Sequence, residues 1–282
     1  MTPPTDDQAI AHNRAAHDRV GGAYDAGHPE IFNETEQARL ARTVERVVRL
    51  VERGERPRAP IAVLDVGSGT GNLVRRFLAH DVHVTATDLS TTLLDEVHGR
   101  FAATGRVTTT PLNGRDLHPL ADDRFDVAAS YSVLHHVPDY LALVREMARV
   151  VRPGGIVYID HERSDESWTS AAYRAFLREA VAWPRRRWWF VLQPWRYWKR
   201  IRPLFEWRRW RNPRWMPEGD LHIWPDDHID WTKIRAVLAT AGCAVELEED
   251  YLLYEARYDR SAWERWNGRA SDMRMLVARK HA

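Results

Sequence analysis

Ten residues, VLDVGSGTGN at 63–72, restrict this chain more than any other segment. A buried-looking apolar run leads into Gly67, Gly69 and Gly71, and a helical pattern follows at once. Glycine is needed at such a reversal because the backbone takes positive φ and because a ligand approaches where a Cβ would collide. The helix that starts there offers unpaired amides to a bound polar group. A dinucleotide fingerprint, G-x-G-x-x-G, would need glycine at 72, and that position is Asn72. Asp65 adds a carboxylate beside the turn that suits the cationic amino end of a ligand, whereas a pyrophosphate would gain nothing from it. Asp88, closing the run VHVTATD, can accept hydrogen bonds from both hydroxyls of a ribose.

The turn sits in an alternation of β-rich and helical segments. IAVLDV (61–66), VHVTATD (82–88), RVTTT (106–110), FDVAAS (125–130) and GIVYIDH (155–161) read as strands. Helical patterns lie at 71–80, 90–103 and 138–151, and the spacing of Leu40, Val44, Val47, Val48 and Val51 predicts an amphipathic helix over 35–53. A further helix at 230–241 and strands at 244–254 and 273–279 follow. Near-continuous apolar strands alternating with helices imply a parallel sheet covered on both faces, a doubly wound α/β fold.

VLDVGSGTG, VTATDLS, FDVAASYSVLHHVPD and VVRPGGIVYIDHE, in that order, resemble the four motifs of the class I S-adenosylmethionine-dependent methyltransferases, especially those related to quinone-biosynthesis methylases. The resemblance implies a Rossmann-like seven-stranded sheet in the order 3-2-1-4-5-7-6, with S-adenosylmethionine as cofactor and S-adenosylhomocysteine as product. It places Asp65, Gly67, Ser68, Gly69, Gly71, Asp88, Leu89, Ser130 and His135 at the cofactor. These proteins often carry Asp-Ala near the end of strand three; here Asn113, Gly114, Arg115 and Asp116 stand there, and Asp116 with Arg115 is the expected adenine contact. AYDAGHPEIFNETEQ (23–37) resembles the N-terminal lid of the family, with Tyr24 and His28 as its covering residues. The expected divisions are a lid and helix at 1–55, a cofactor-binding core at 56–161, a helical cap at 162–227 and the rest of the core at 228–282. A chain that keeps this fold as a binding module, or for a reaction without methyl transfer, is the alternative.

Transfer of an activated methyl group needs chiefly alignment; a hydroxyl or ammonium acceptor must also lose a proton, which histidine accepts near neutral pH. His161 and His136 are the candidate bases. His222, Asp226, Asp227 and His228 could ligate a metal, but Asp227 or Asp230 before Trp231 reads as a helix cap, and no metal is expected. The single cysteine, Cys243, rules out a disulfide within the chain or a thiolate cluster.

Charge and tryptophan are concentrated in one place. Residues 183–215 hold ten arginines and Lys199 against Glu206 alone, and eleven of the thirteen tryptophans lie between Trp168 and Trp231. Gln193 and Pro194 open a predicted helix on which Trp195, Trp198, Ile201 and Phe205 share a face. This Trp/Arg-rich insertion is expected to select a small, hydrophobic or aromatic acceptor. Its aromatics either line that acceptor's pocket or lie on a membrane surface; nucleic acid ranks last. With neither a signal-peptide pattern nor a membrane-length apolar run, a cytoplasmic location is expected, and 183–215 is the stretch that would make any peripheral membrane contact.

Overall fold

The computed structural model describes residues 5–21, 24–54, 59–181 and 214–281. Helix α1 (Asp6–Val20) and the single turn α2 (Tyr24–Gly27) precede α3 (Glu34–Glu52). Strand β1 (Ile61–Val66), α4 (Asn72–Phe77), β2 (Val82–Asp88), α5 (Thr91–Phe101), β3 (Val107–Pro111), β4 (Phe125–Tyr131), α6 (Tyr140–Val150) and β5 (Val151–Arg163) then alternate as the pattern predicts. After them come α7 (Glu166–Thr169), α8 (Ala171–Ala180), a small hairpin of β6 (Ile223–Trp224) and β7 (Asp227–His228), α9 (Trp231–Thr240), β8 (Cys243–Tyr251), α10 (Arg260–Trp266) and β9 (Met273–Lys280).

Seven strands form one sheet in the order β3-β2-β1-β4-β5-β9-β8. Leaving out the detached hairpin, this is the expected 3-2-1-4-5-7-6. The first five strands run parallel, and β9 is antiparallel to both β5 and β8. Residues of β1 serve opposite faces: Leu64 and Val66 pack with Met147 of α6 and Trp231 of α9, whereas Ile61 and Val63 pack with α3 and with Phe77 of α4. Leu40, Val44, Val47, Val48 and Val51 of α3 are all 2% exposed or less. At roughly 1.5–3 kcal/mol for each fully buried aliphatic side chain, that stripe is the reason α3 docks.

Two features of the fold exceed what periodicity shows. Helix α1 lies within the stretch expected as a lid, ahead of the helix that periodicity predicts, and is started by a capping box between Thr5 and Gln8. Strand β5 runs through Arg163, with a register break against β9 between Ile159 and Glu162. Among the described residues, no helix is long and apolar enough to cross a membrane. The helix expected near Gln193 and residues 182–213 of the Trp/Arg-rich insertion lie outside the described residues.

Candidate active site

A cleft opens at the carboxyl ends of β1, β2 and β4, where β1 has β2 on one side and β4 on the other. This is the switch point at which open α/β sheets take ligands. The cleft measures about 1050 Å³ including its mouth. Gly67 has φ +69°, and a Cβ there would lie 2.5 Å from a methyl of Val133, so the turn closes only with glycine. Gly71, at φ +88°, caps α4, and its Cβ would meet Phe101 at 2.7 Å.

Asp88 braces the turn. Its Oδ2 accepts the Gly69 amide at 2.9 Å and its Oδ1 the Ser90 amide at 2.8 Å. Each carboxylate oxygen accepts more than one hydrogen bond, so capacity remains for hydroxyl donors in the cleft. Asp65 is 1% exposed, and its Oδ2 has no hydrogen-bond partner. Burial, with the charge of Asp88 beside it, pushes the Asp65 carboxyl up to about 8. A pair of buried acids, one with an orphaned oxygen, is costly unless a donor or cation joins them.

Leu89, Gly114, Arg115 and Asp116 line the far end. Asp116 Oδ1 accepts Asn113 Nδ2 at 2.8 Å and the His118 amide at 3.0 Å; the Asn113 bond leads in holding its carboxyl below the usual range. Arg115 pairs with Asp7 of α1. Ile10, Asn13 and His17 of α1 line the same cleft. Tyr24 lines it too, its ring 4.1 Å from that of His28, while Thr70 Oγ1 donates to Asp25 at 2.6 Å and ties α2 to the glycine turn. Burial first, then the Glu218 and Glu30 charges, raises the Tyr24 phenol, which stays protonated. His28 itself is outside the lining: Nδ1 bonds Glu30 at 2.9 Å and Nε2 lies 3.8 Å from Glu218. Burial pulls its pKa down, but those carboxylates outweigh burial and raise it.

The opposite wall carries the paired histidines. His136 lines the cleft; burial, then the neighbouring His135 and His17, lowers its pKa well below the ordinary value, so it is neutral near pH 7. His135 turns away and gives Nδ1 to Glu162 at 2.8 Å. Burial depresses it, yet Glu162 more than compensates, and its pKa rises. Glu162 Oε1 also accepts the amides of Val133 and Leu134, which fixes the turn that presents both histidines.

His161 lies behind the cleft wall. It is 4% exposed and stacks on Tyr131, with ring centroids 4.7 Å apart. The β5 register break and a positive φ of 62° at His161 bring its side chain and that of Asp160 into one cluster. His161 Nδ1 is 3.2 Å from both Tyr131 Oη and Tyr251 Oη. Tyr131 donates to Glu36 at 2.9 Å, and Arg39 bridges Glu36 and Asp160. Burial opposes ionisation of Glu36, but its bonds to His161 and Arg39 prevail and hold it at about 2. Only Tyr131 of this cluster faces the cleft.

Among the expected residues, Tyr24, Asp65, Gly67, Ser68, Gly69, Asp88, Leu89, Arg115, Asp116 and His136 therefore line one cleft. Gly71, Ser130, His135 and His161 do not: Gly71 packs against α5, Ser130 is fully buried within β4, His135 bonds Glu162, and His161 is screened by Tyr131. In the other acidic cluster, Asp230 caps α9 through the Lys233 amide, Asp226 pairs with Arg214, and His222 bonds Asp227 at 2.6 Å. Sequence reading misses Ile10, Asn13 and His17. The signal present is the capping box and the four-and-three spacing of buried Ala9, Asn13 and Ala16.

The family described as "Methyltransferase domain" matches residues 64–159. The malonyl-[acyl-carrier protein] O-methyltransferase of Pseudescherichia vulneris is 32% identical over 143 residues, 51% of this chain and 50% of that protein. The ubiquinone biosynthesis O-methyltransferase of Yersinia pestis is 33% identical over 118 residues, 40% of this chain and 48% of that one. The chain thus spans about half the length of these curated relatives. A solved S-adenosylmethionine-dependent methyltransferase from Mesorhizobium loti shares the fold at TM-score 0.51 and 20% identity, over 83% of this chain and 96% of that one. Residues 64–159, which carry the glycine turn and its two acids, are thus similar to that methyltransferase domain family, and the chain shares the fold of the solved methyltransferase.

Proposed function

We propose that this protein moves a methyl group from S-adenosylmethionine to an oxygen of a small, hydrophobic or aromatic acceptor. The observation that carries the reading is the pair of buried acids at the glycine turn, Asp88 braced by two amides and Asp65 with an orphaned oxygen. These residues fit the cofactor: Asp88 would hold the ribose hydroxyls, Asp65 the ammonium end, and Asp116 with Arg115 the adenine. Bound there, the cofactor supplies a methyl group on a positively charged sulfur, ready for in-line displacement.

The chain's own part is to align, shield and take a proton. Tyr24 and α1 cover the cleft, and Val133 and Val137 give it an apolar wall. His136, neutral and facing the cleft, is the better placed of the two candidate bases. His161 would reach the acceptor only through the Tyr131 phenol. Oxygen as the methylated atom is supported by the relatives named O-methyltransferases. The acceptor itself is assigned to the insertion at 162–227, and peripheral membrane contact through 183–215 would bring lipid-like acceptors within reach; flotation with anionic liposomes tests that contact.

Product analysis tests the activity. Incubation with S-adenosylmethionine and candidate acceptors should yield S-adenosylhomocysteine in step with methylated product. Calorimetry that detects neither cofactor form while a nicotinamide dinucleotide binds would overturn the reading.

A further inference from the structure

Beside the cleft, His135, His136 and Asp220 bring three ligand atoms within 4.8 Å of one another, from two stretches of chain far apart in sequence. The His136 Nδ1 atom lies 3.2 Å from Asp220 Oδ1, yet it is buried and makes no hydrogen bond. The distance is short while the direction is wrong for a shared proton. Two ligands about 2.0–2.1 Å from one tetrahedral ion stand roughly 3.3 Å apart, close to the separation found here.

The surroundings hold the three groups in place. His135 gives Nδ1 to Glu162, which leaves Nε2 as its remaining donor atom, and a carboxylate behind a histidine is the usual support of a metal-bound imidazole. Glu162 is itself anchored by the amides of Val133 and Leu134. Asp220 is fixed through its neighbours, because the amides of Leu221 and His222 both donate to the carbonyl of His135. Two imidazoles and one carboxylate suit a zinc-type divalent cation with one position left over.

We propose that His135, His136 and Asp220 form a binding site for a zinc-type divalent cation at the acceptor side of the cleft, with its open position available to an oxygen of the acceptor. With the ion bound, a hydroxyl coordinated there releases its proton to solvent and presents an oxyanion to the methyl group, and His136 is then a ligand; in the metal-free protein it remains the candidate base. That catalytic role rests on the methyl-transfer reading; the site itself does not. The cluster at 222–228 is a different set of residues, engaged in an ion pair and a hydrogen bond of its own.

The test uses the full chain, stripped of metal with a chelator and dialysed. Cobalt(II) is titrated while its visible ligand-field absorption is followed, and zinc(II) is then added to displace it. The expected result is one equivalent of cobalt with the strong absorption of a low-coordinate site, lost on adding zinc. Asp220→Asn and His135→Ala should each weaken binding at least about tenfold, and Glu162→Gln should do so about 10–100-fold, with circular dichroism showing that each variant is folded. Asp226→Asn should keep the full equivalent. Less than one equivalent in the wild type, or wild-type affinity in both ligand variants, or loss of the site in Asp226→Asn, overturns the proposal. None of these readings needs turnover, so failure of the metal site and failure of methyl transfer are told apart: S-adenosylhomocysteine production is measured separately on the protein as purified.

Discussion

The two walls of the cleft are built in different ways. The wall of β1 and β2 comes from one continuous stretch, in which strand, turn, helix and strand follow without a break from Ile61 to Asp88. The facing wall presents His136 after β4 and Asn13 with His17 from α1, backed by Glu162 at the end of β5 and Asp220 from the far end of the insertion. The first offers a ligand the glycine turn and two buried acids. The second offers side chains whose protonation and position depend on one another. A binding wall can be local, whereas a wall that must tune a proton or a cation draws groups from several elements.

The sharpest way to break this contrast is to damage each wall in turn. Asp88→Ala removes the brace of Gly69 and the acceptor for both ribose hydroxyls; at roughly 1.5–3 kcal/mol for each hydrogen bond to a charged group, cofactor affinity should fall at least about a hundredfold by calorimetry. An unchanged dissociation constant would mean that the ligand does not sit against this turn. His136→Ala should lower kcat by about 10²–10⁴ with little change in cofactor affinity, and His161→Ala should lower it less. Wild-type turnover in both variants would remove histidine from the chemistry.

Asp65 gives the first wall a pH signature. Its carboxyl titrates at about 8 in the ligand-free fold against 3.8 ordinarily. The folded chain therefore keeps a proton that the unfolded chain releases, so stability present below pH 3.8 is lost as pH climbs towards 8. The ligand-free Asp65→Asn variant should melt above wild type at about pH 8, with the gap closing towards about pH 4; parallel melting curves across that range would show that Asp65 is not desolvated. Tyr131→Phe tests the contact between the second wall and the cluster behind it. Loss of its bond to Glu36 should cost about 1 kcal/mol, a drop of roughly 2–4 °C in Tm, and reduce turnover less than His136→Ala does. Thr5→Ala carries the smallest effect: about 1 kcal/mol of helix capping, read as a severalfold weaker cofactor affinity if α1 closes over the bound ligand.

The residues of the first wall are legible because each carries its meaning within a few positions. Gly67 must be glycine for a reason of local φ and a close neighbour, and Asp88 sits where a strand meets a turn. Tyr131, Glu36 and Arg39 carry no such mark: they fall on the patterns of β4 and α3 as ordinary members. His161 shows how far adjacency can mislead. Its place after a strand points to the cleft, but the register break in β5 turns it into the cluster under Tyr131.

Sequence alone determined the alternation of strands and helices from Ile61 to Arg163, the buried face of α3 and the glycine turn with its acids, because all of these depend on period and on local backbone geometry. Tertiary structure alone decided which histidine faces the cleft, that α1 covers it, and that Asp220 meets His136 from a distant part of the chain. Such meetings are set by how packed elements cross, and neither spacing nor composition records a crossing.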